Sequence, residues 1–478
     1  MQKKQELETM TKKLAPLSLA MVAMLAGCSM IPAYERPAAP VPTNYTAASV
    51  QTGAPLPSWR NYFSEPRLQQ LIELALDHNR DLRIASLNVE QARAQFQVRR
   101  AAQYPAVGLA ANASRAPASG SGDLTNSFSV GLAVTAWELD FFGRVASLKE
   151  QALAQYLASE EGRNAAQVSL ISAVANGWLT LLADEQLLEL SRQTLATREE
   201  SVRLTKLRLD SGAASELDYR QAESLTQAAR ATLAQQQRQR ALDENALALL
   251  LGQPLPEDIR ASLSRSDLRA APSMQAIPAG LPSDLLAQRP DIRQAEQQLV
   301  AANANIGAAR AAFFPRIALT AQAGTASGEL SGLFKNGSWG FTLAPSLWLP
   351  LFDAGANQAN LDSAQVGRKL AVAQYEKSIQ TAFREVSDAL ASQSTLTEQL
   401  DAQTKQAEAE AIRLNLADLR YKNGVASYLD LLDAQRSLFS TQQGVVQVRL
   451  GQLQNQVTLF KALGGGWDAQ TAPTTKAH

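Results

Sequence analysis

Two histidines and one cysteine supply all the imidazole and thiol chemistry open to this 478-residue chain. His78 falls in a helical pattern and His478 is the last residue, so no imidazole cluster can build a zinc site and a Ser-His-Asp arrangement would rest on His78 alone. Phosphate chemistry has no better footing. No Walker-type loop is present, and Gly464-Gly465-Gly466 precedes a tryptophan near the chain end instead of opening a helix. The carboxylates lie mostly on helical charge faces. One such face carries Leu429, Asp433 and Arg436 at i, i+4 and i+7, with Asp430 beside them. By spacing alone this is a solvated face with a local ion pair. The residue types therefore argue against an enzyme and against a metal or organic cofactor.

The elements that must carry these residues are mainly long helices. Basic and acidic side chains balance at 45 each, which argues against a partner bound through its phosphates, so no nucleic acid is expected. Aromatics are only 6%, and the Ala, Leu, Gln, Arg and Glu background favours helix. The chain also repeats itself. Asn79-Arg-Asp-Leu-Arg-Ile-Ala85 recurs as Arg289-Pro-Asp-Ile-Arg-Gln-Ala295, and the stretches from Arg208 to Asp218 and from Arg420 to Asp430 match in the same order. Each copy predicts a helix ended by a proline (Pro105, Pro315), two strand-like stretches, then a very long helical tract, from about Arg144 to Leu251 and from about Gln358 to Ala462. Val174, Leu181, Leu188, Leu195 and Val202 keep a strict seven-residue period, a coiled-coil seam. The expected divisions are a leader over 1–27, a tether over 28–60, a first repeat over 61–270, a second over 271–467 and a tail over 468–478.

The leader has the form of an export signal: Lys3, Lys4, Lys12 and Lys13 precede an apolar run from Leu14 to Ala26 that is too short to span a bilayer permanently. It ends in Leu25-Ala26-Gly27-Cys28, which resembles the lipobox of bacterial lipoproteins. The resemblance implies cleavage and a covalent lipid on Cys28, and Ser29 after it implies sorting to the outer membrane. Six prolines between Ile31 and Pro57 predict an extended, helix-free tether.

The strands, at 107–114, 128–139, 317–325 and 339–351, have transmembrane length. Phe128, Val130, Leu132 and Val134 alternate with small or polar residues, and Trp137, Phe141, Phe142, Trp339, Phe341, Trp348 and Phe352 sit toward strand ends like an aromatic belt. Four strands cannot close a barrel, and open edges cannot lie in lipid. Three copies would supply twelve. At this point Glu138-Leu-Asp-Phe-Phe-Gly-Arg144, Leu281-Pro-Ser-Asp-Leu-Leu-Ala-Gln-Arg-Pro-Asp291, Ala301 to Pro315, Leu432-Asp-Ala-Gln-Arg-Ser-Leu-Phe439 and Ala462-Leu-Gly-Gly-Gly-Trp467 resemble the TolC-like outer-membrane factors of tripartite efflux pumps, in their OprM-type lipoprotein branch.

That resemblance implies an α+β membrane protein: a homotrimeric channel with a twelve-stranded outer-membrane β-barrel, four strands per chain, joined to a long periplasmic α-helical coiled-coil barrel. It implies a passive exit duct for drugs and other toxic compounds. The implied partners are a periplasmic adaptor protein, an inner-membrane transporter of the resistance-nodulation-division type and outer-membrane lipids. It further implies that Leu429 and Asp433 form constricting rings at a periplasmic gate, with Arg436 in the surrounding polar network and Asp430 as a second carboxylate. Arg420 and Tyr421 match residues that lock the tip against the first repeat's turn, with Asp210 the natural partner and Glu216 and Asp218 the alternatives. The competing classes are a periplasmic coiled-coil scaffold or adaptor, which is not expected to repeat this unit twice, and an enzyme.

Overall fold

The computed structural model describes residues 29–42, 45, 56–117, 122, 124–263, 268, 274, 277 and 285–467. The leader, Cys28, the tail and most of the junction between the two expected repeats lie outside the described residues. In chain order come α1 (Trp59–Tyr62), α2 (Pro66–His78), α3 (Arg80–Ala101), β1 (Val107–Pro117), β2 (Leu124–Leu139), α4 (Arg144–Asp210), α5 (Glu216–Leu251) and α6 (Glu257–Leu263). After them come α7 (Leu285–Gln288), α8 (Pro290–Ala311), β3 (Arg316–Ser327), β4 (Trp339–Trp348), α9 (Ala356–Lys422) and α10 (Tyr428–Ala462). Both long helical tracts are broken where the sequence placed turns, at Asp210-Ser211-Gly212 and Lys422-Asn423-Gly424. The φ of +74° at Gly212 and +73° at Gly424 lie in the left-handed region, which stops a helix and suits glycine. Helix begins just past the last proline of the tether: Ser58 caps α1, its hydroxyl accepting from the Asn61 amide.

The chain divides into two compact units, and each draws on both sequence copies. The first comprises the residues up to Ala38 with Leu87–Glu160 and Gln294–Lys377. Its sheet is antiparallel, in the order β1-β2-β3-β4. Register puts Leu109, Leu132, Ala323 and Phe341 in one row across all four strands, and Ala111, Val130, Thr325 and Trp339 in another. The row between them, Ala110, Gly131, Gly324 and Gly340, carries the opposite face with almost no side chain. A bulge between Val134 and Trp137, with Ala136 at φ +48°, inserts one residue into β2. It shifts the alternation, so that Trp137 and Leu139 rejoin the apolar face opposite Leu319 and Ile317. At the strand-to-helix joint the Glu138 carboxylate takes Arg144 and Arg316, while Asp140 accepts the Ala146 amide at 2.7 Å and starts α4. Asp353 repeats this cap on α9, accepting from Asn357 at 2.9 Å.

The extended segment after Cys28 is strapped along α8 within the same unit. Arg310 donates to the Met30 carbonyl at 3.4 Å and Asn303 to the Pro32 carbonyl at 2.8 Å. Glu296 takes both arms of Arg36 at 2.7 Å and the Tyr34 hydroxyl at 3.1 Å. Gly307 gives Ile31 its seat: a Cβ there would stand 2.7 Å from Ile31 Cγ1 and 2.6 Å from Ser147 Oγ. From residue 310 to 296 a helix rises about 21 Å, and six extended residues cover about 20 Å, so strap and helix stay in step.

The second unit comprises Ala39–Ser86, Glu161–Arg293 and Ser378–His478. Its core gathers Trp178, Leu181, Leu182, Leu71, Ile72, Phe63 and Phe460, with Tyr62 stacked on Phe460 at 4.2 Å. Of the heptad positions, Val174 and Leu181 are buried in this core, and Leu188 is buried outside it. α4 contains a window apolar and long enough to cross a bilayer, but 56% of it is buried, as a core helix requires. Two motifs far apart in sequence meet here. Arg289 donates to the Ala462 carbonyl at 2.9 Å, and Trp467 donates to the Gln288 carbonyl at 3.0 Å. The first copy makes the same clasp in simpler form: Asn79 donates to the Leu250 carbonyl at 2.9 Å, and Gly252 packs on the His78 carbonyl as Gly464 packs on that of Gln288.

Candidate gate and tip

Near the glycine turns of the second unit, α4 and α5 form one helical hairpin and α9 and α10 another. Each turn ends in the same capping box. Ser215 and Asp218 exchange bonds at the start of α5, and Ser427 and Asp430 do so at the start of α10, with the Asp430 carboxylate accepting the Ser427 amide at 3.1 Å and its hydroxyl at 2.9 Å. This assigns Asp430 and Asp218 a local task that the sequence reading overlooked, although Ser-x-x-Asp before an apolar run is its signal.

Leu429 and Asp433 lie exposed on α10, and so does Arg436. Asp433 is bonded to Arg413 of α9, which also reaches Glu410 at 3.1 Å and Ser437 at 3.3 Å. Sequence reasoning missed Arg413. The signal was present: Arg413 and Asp433 stand ten residues either side of Asn423, and in an antiparallel helical hairpin residues equidistant from the turn face one another. Arg436 makes no ion pair among the described residues.

The expected lock is only partly assembled within the chain. Tyr421 does meet the first copy, but through Arg208, whose guanidinium lies 4.9 Å from the ring centre. Asp210 is paired instead with Lys206, at 2.8 Å and one helical turn back. Glu216 is paired with Arg220 at 2.8 Å, and Arg420 makes no ion pair among the described residues. The structure therefore does not bring Asp210 and Arg420 together in one chain.

Among the described residues no group of three or more His, Cys, Asp or Glu could hold a metal. One buried carboxylate nevertheless has unusual electrostatics. Burial, together with a hydrogen bond to Asp243 and the charges of Asp243 and Glu185, pushes the Asp184 carboxyl up to about 7, with Arg240 opposing. The folded pKa stands above the ordinary carboxylate value, so folding favours the proton, and stability from this group grows as pH falls from about 7 toward about 4. Asp184→Asn, which mimics the protonated form, is expected to raise the thermal midpoint at about pH 7.5 and to flatten its rise toward about pH 5.5. Melting curves at both pH values check this; a pH dependence identical to wild type would refute it.

Comparison with known proteins places these elements. The family described as Outer membrane efflux protein matches the chain twice, at residues 71–253 and 281–465. The probable efflux pump outer membrane protein TtgC of Pseudomonas putida is 47% identical over 476 residues, covering 97% of each chain. The outer membrane protein OprJ of Pseudomonas aeruginosa is 44% identical over 472 residues, covering 96% of this chain and 97% of its own. Among solved structures, a membrane protein from Pseudomonas aeruginosa superposes with a TM-score of 0.85 at 44% identity, covering 92% of this chain and 98% of that one. The open state of the Neisseria gonorrhoeae MtrE outer membrane channel superposes at 0.83 with 42% identity and the same coverage.

Proposed function

The chain belongs to the outer membrane efflux protein family, and from that premise we propose that it is a duct gated at its periplasmic tip, fed by a periplasmic adaptor protein and an inner-membrane transporter of the resistance-nodulation-division type. It is the outer-membrane component of an efflux pump, with four strands per chain contributing to the twelve that three copies close. The sheet carries this reading. Its outer strands β1 and β4 each leave one edge unpaired, and its apolar rows expose Leu109, Leu132, Trp339 and Phe341. Edges of this kind are tolerated in hydrocarbon only when a neighbouring chain pairs them. The duct performs no chemistry, and its cargo is the drugs and other toxic compounds handed to it by the pump.

A lipid on Cys28 would enter the membrane close to the barrel, because the strap holds Met30 against the end of α8 from which β3 soon begins. At the tip, Leu429 and Asp433 are exposed in the single chain and so are free to meet their counterparts from two others. Three such carboxylates repel, and Arg413 supplies the compensating charge that lets them approach. Planar-bilayer conductance of the full-length protein tests the gate. Wild type is expected to conduct little, and Asp433→Ala and Arg413→Ala, each of which breaks the tie between α9 and α10, to conduct several-fold more. Equal conductance in all three would overturn the gate, and the absence of any conductance would overturn the duct.

A further inference from the structure

Arg198 of α4 is 5% exposed, yet among the described residues no carboxylate meets its guanidinium. Its bond runs to the side-chain carbonyl of Gln435 on α10. One turn along α4, the Ser201 and Tyr428 hydroxyls are 2.7 Å apart, with Tyr428 also buried. The backbone at Arg198 is itself pinned, its carbonyl accepting from Thr226 of α5 at 3.2 Å. Burial lowers the Arg198 pKa from the ordinary arginine value; Tyr428 counters this and the nearby Arg436 adds to it. A buried cation whose chief stabilising partner is one neutral amide oxygen depends heavily on that oxygen.

These two contacts define a direction. At about 100° per residue, Tyr428 and Gln435 stand almost above one another on α10, flanked by the buried Leu431 and Leu432. Leu429, Asp433 and Arg436 lie roughly a quarter turn or more round the same helix. Gripping the first face therefore sets where the second one points. We propose that Arg198 is a positioning residue for the gate: with Gln435, and with Ser201 on Tyr428, it fixes the rotation of α10 about its own axis. This rests on reading Leu429 and Asp433 as the gate. For α10 to turn, Gln435 must leave the guanidinium, and the bare buried charge opposes that step. The latch biases the tip toward the closed state.

The test is single-channel recording of the full-length protein in planar bilayers, with the heat-resistant trimer on gels as the folding control. Arg198→Ala is expected to increase the time spent open several-fold. Gln435→Glu, which turns the amide contact into an ion pair, is expected to reduce it below wild type, and that reduction should vanish when Arg198→Ala is added. A merely structural arginine would not make Gln435→Glu close the channel further. If Arg198→Ala fails to assemble, Gln435→Met and Gln435→Glu carry the test, with opening expected from the first and closing from the second. Should Asp433→Ala open the channel while the Arg198 and Gln435 variants behave as wild type, the latch is wrong and the gate stands. If Asp433→Ala is also silent, the gate reading fails and the latch falls with it.

Discussion

Replacing Arg289 by alanine is expected to destabilise the second unit by about 3 kcal/mol, the low end of the range for breaking a buried ion pair. The side chain is 6% exposed and engages three partners: Asp291 through two bonds, Glu385 at 2.7 Å and the Ala462 carbonyl at 2.9 Å. The low end applies because Asp291 and Glu385 are 43% and 34% exposed, so water can take up the carboxylates once the arginine is gone. The Ala462 carbonyl has less recourse, since its residue is buried at the end of α10. Lysine would keep the charge and lose the planar fork that serves partners in different directions. The first copy provides an internal comparison. At the matching position Asn79 makes two neutral bonds, donating to the Leu250 carbonyl and accepting the Leu82 amide at 2.9 Å to cap α3, so Asn79→Ala is expected to cost about 2 kcal/mol. Denaturant midpoints of the two variants, measured side by side, decide the matter; equal losses would show that charge contributes nothing to this clasp.

Gly324→Val is expected to abolish the heat-resistant trimer. Gly324 lies directly opposite Gly131 in the pairing of β2 with β3. A Cβ at Gly324 would stand 2.2 Å from the Val130 carbonyl oxygen, and one at Gly131 would stand 2.4 Å from that of Ala323. These are backbone atoms of the neighbouring strand, so a side chain can be seated only by driving the strands apart. In water the loosened amides and carbonyls would be solvated, whereas in hydrocarbon each lost partner costs several kcal/mol. The loss therefore spreads from one residue to the ladder around it. Gly340→Ala on β4 is the control, because nothing lies within 4 Å of its added Cβ. Gel mobility of outer-membrane extracts with and without heating reads out both. A Gly324→Val trimer as heat-resistant as the Gly340→Ala trimer would refute the close-packing argument.

Much of this protein is legible in one dimension because it is built from local signals. Seven-residue periodicity marks α4, alternation marks the strands, Pro105 and Pro315 end α3 and α8 within a few residues, and Gly212 and Gly424 sit in the turns. Even the Arg413–Asp433 pair and the two Ser-x-x-Asp capping boxes could have been taken from spacing, because a hairpin fixes which residues face each other once its turn is known. The sequence also determined the family, through motifs spread along nearly its whole length.

What only the tertiary structure decided are the contacts between stretches hundreds of residues apart. Arg198 meets Gln435 across 237 positions, Tyr34 and Arg36 meet Glu296 across 262 and 260, and Arg289 meets Ala462 across 173. Local propensity carries no information about such pairs, since they depend on how helices rotate and dock as they bury their apolar faces. The β2 bulge belongs with them. Nothing in the alternation of Phe128 to Val134 announces an extra residue after Val134; it is needed because Trp137 and Leu139 must return to the apolar face beside Leu319 and Ile317, and only the pairing with β3 sets that requirement.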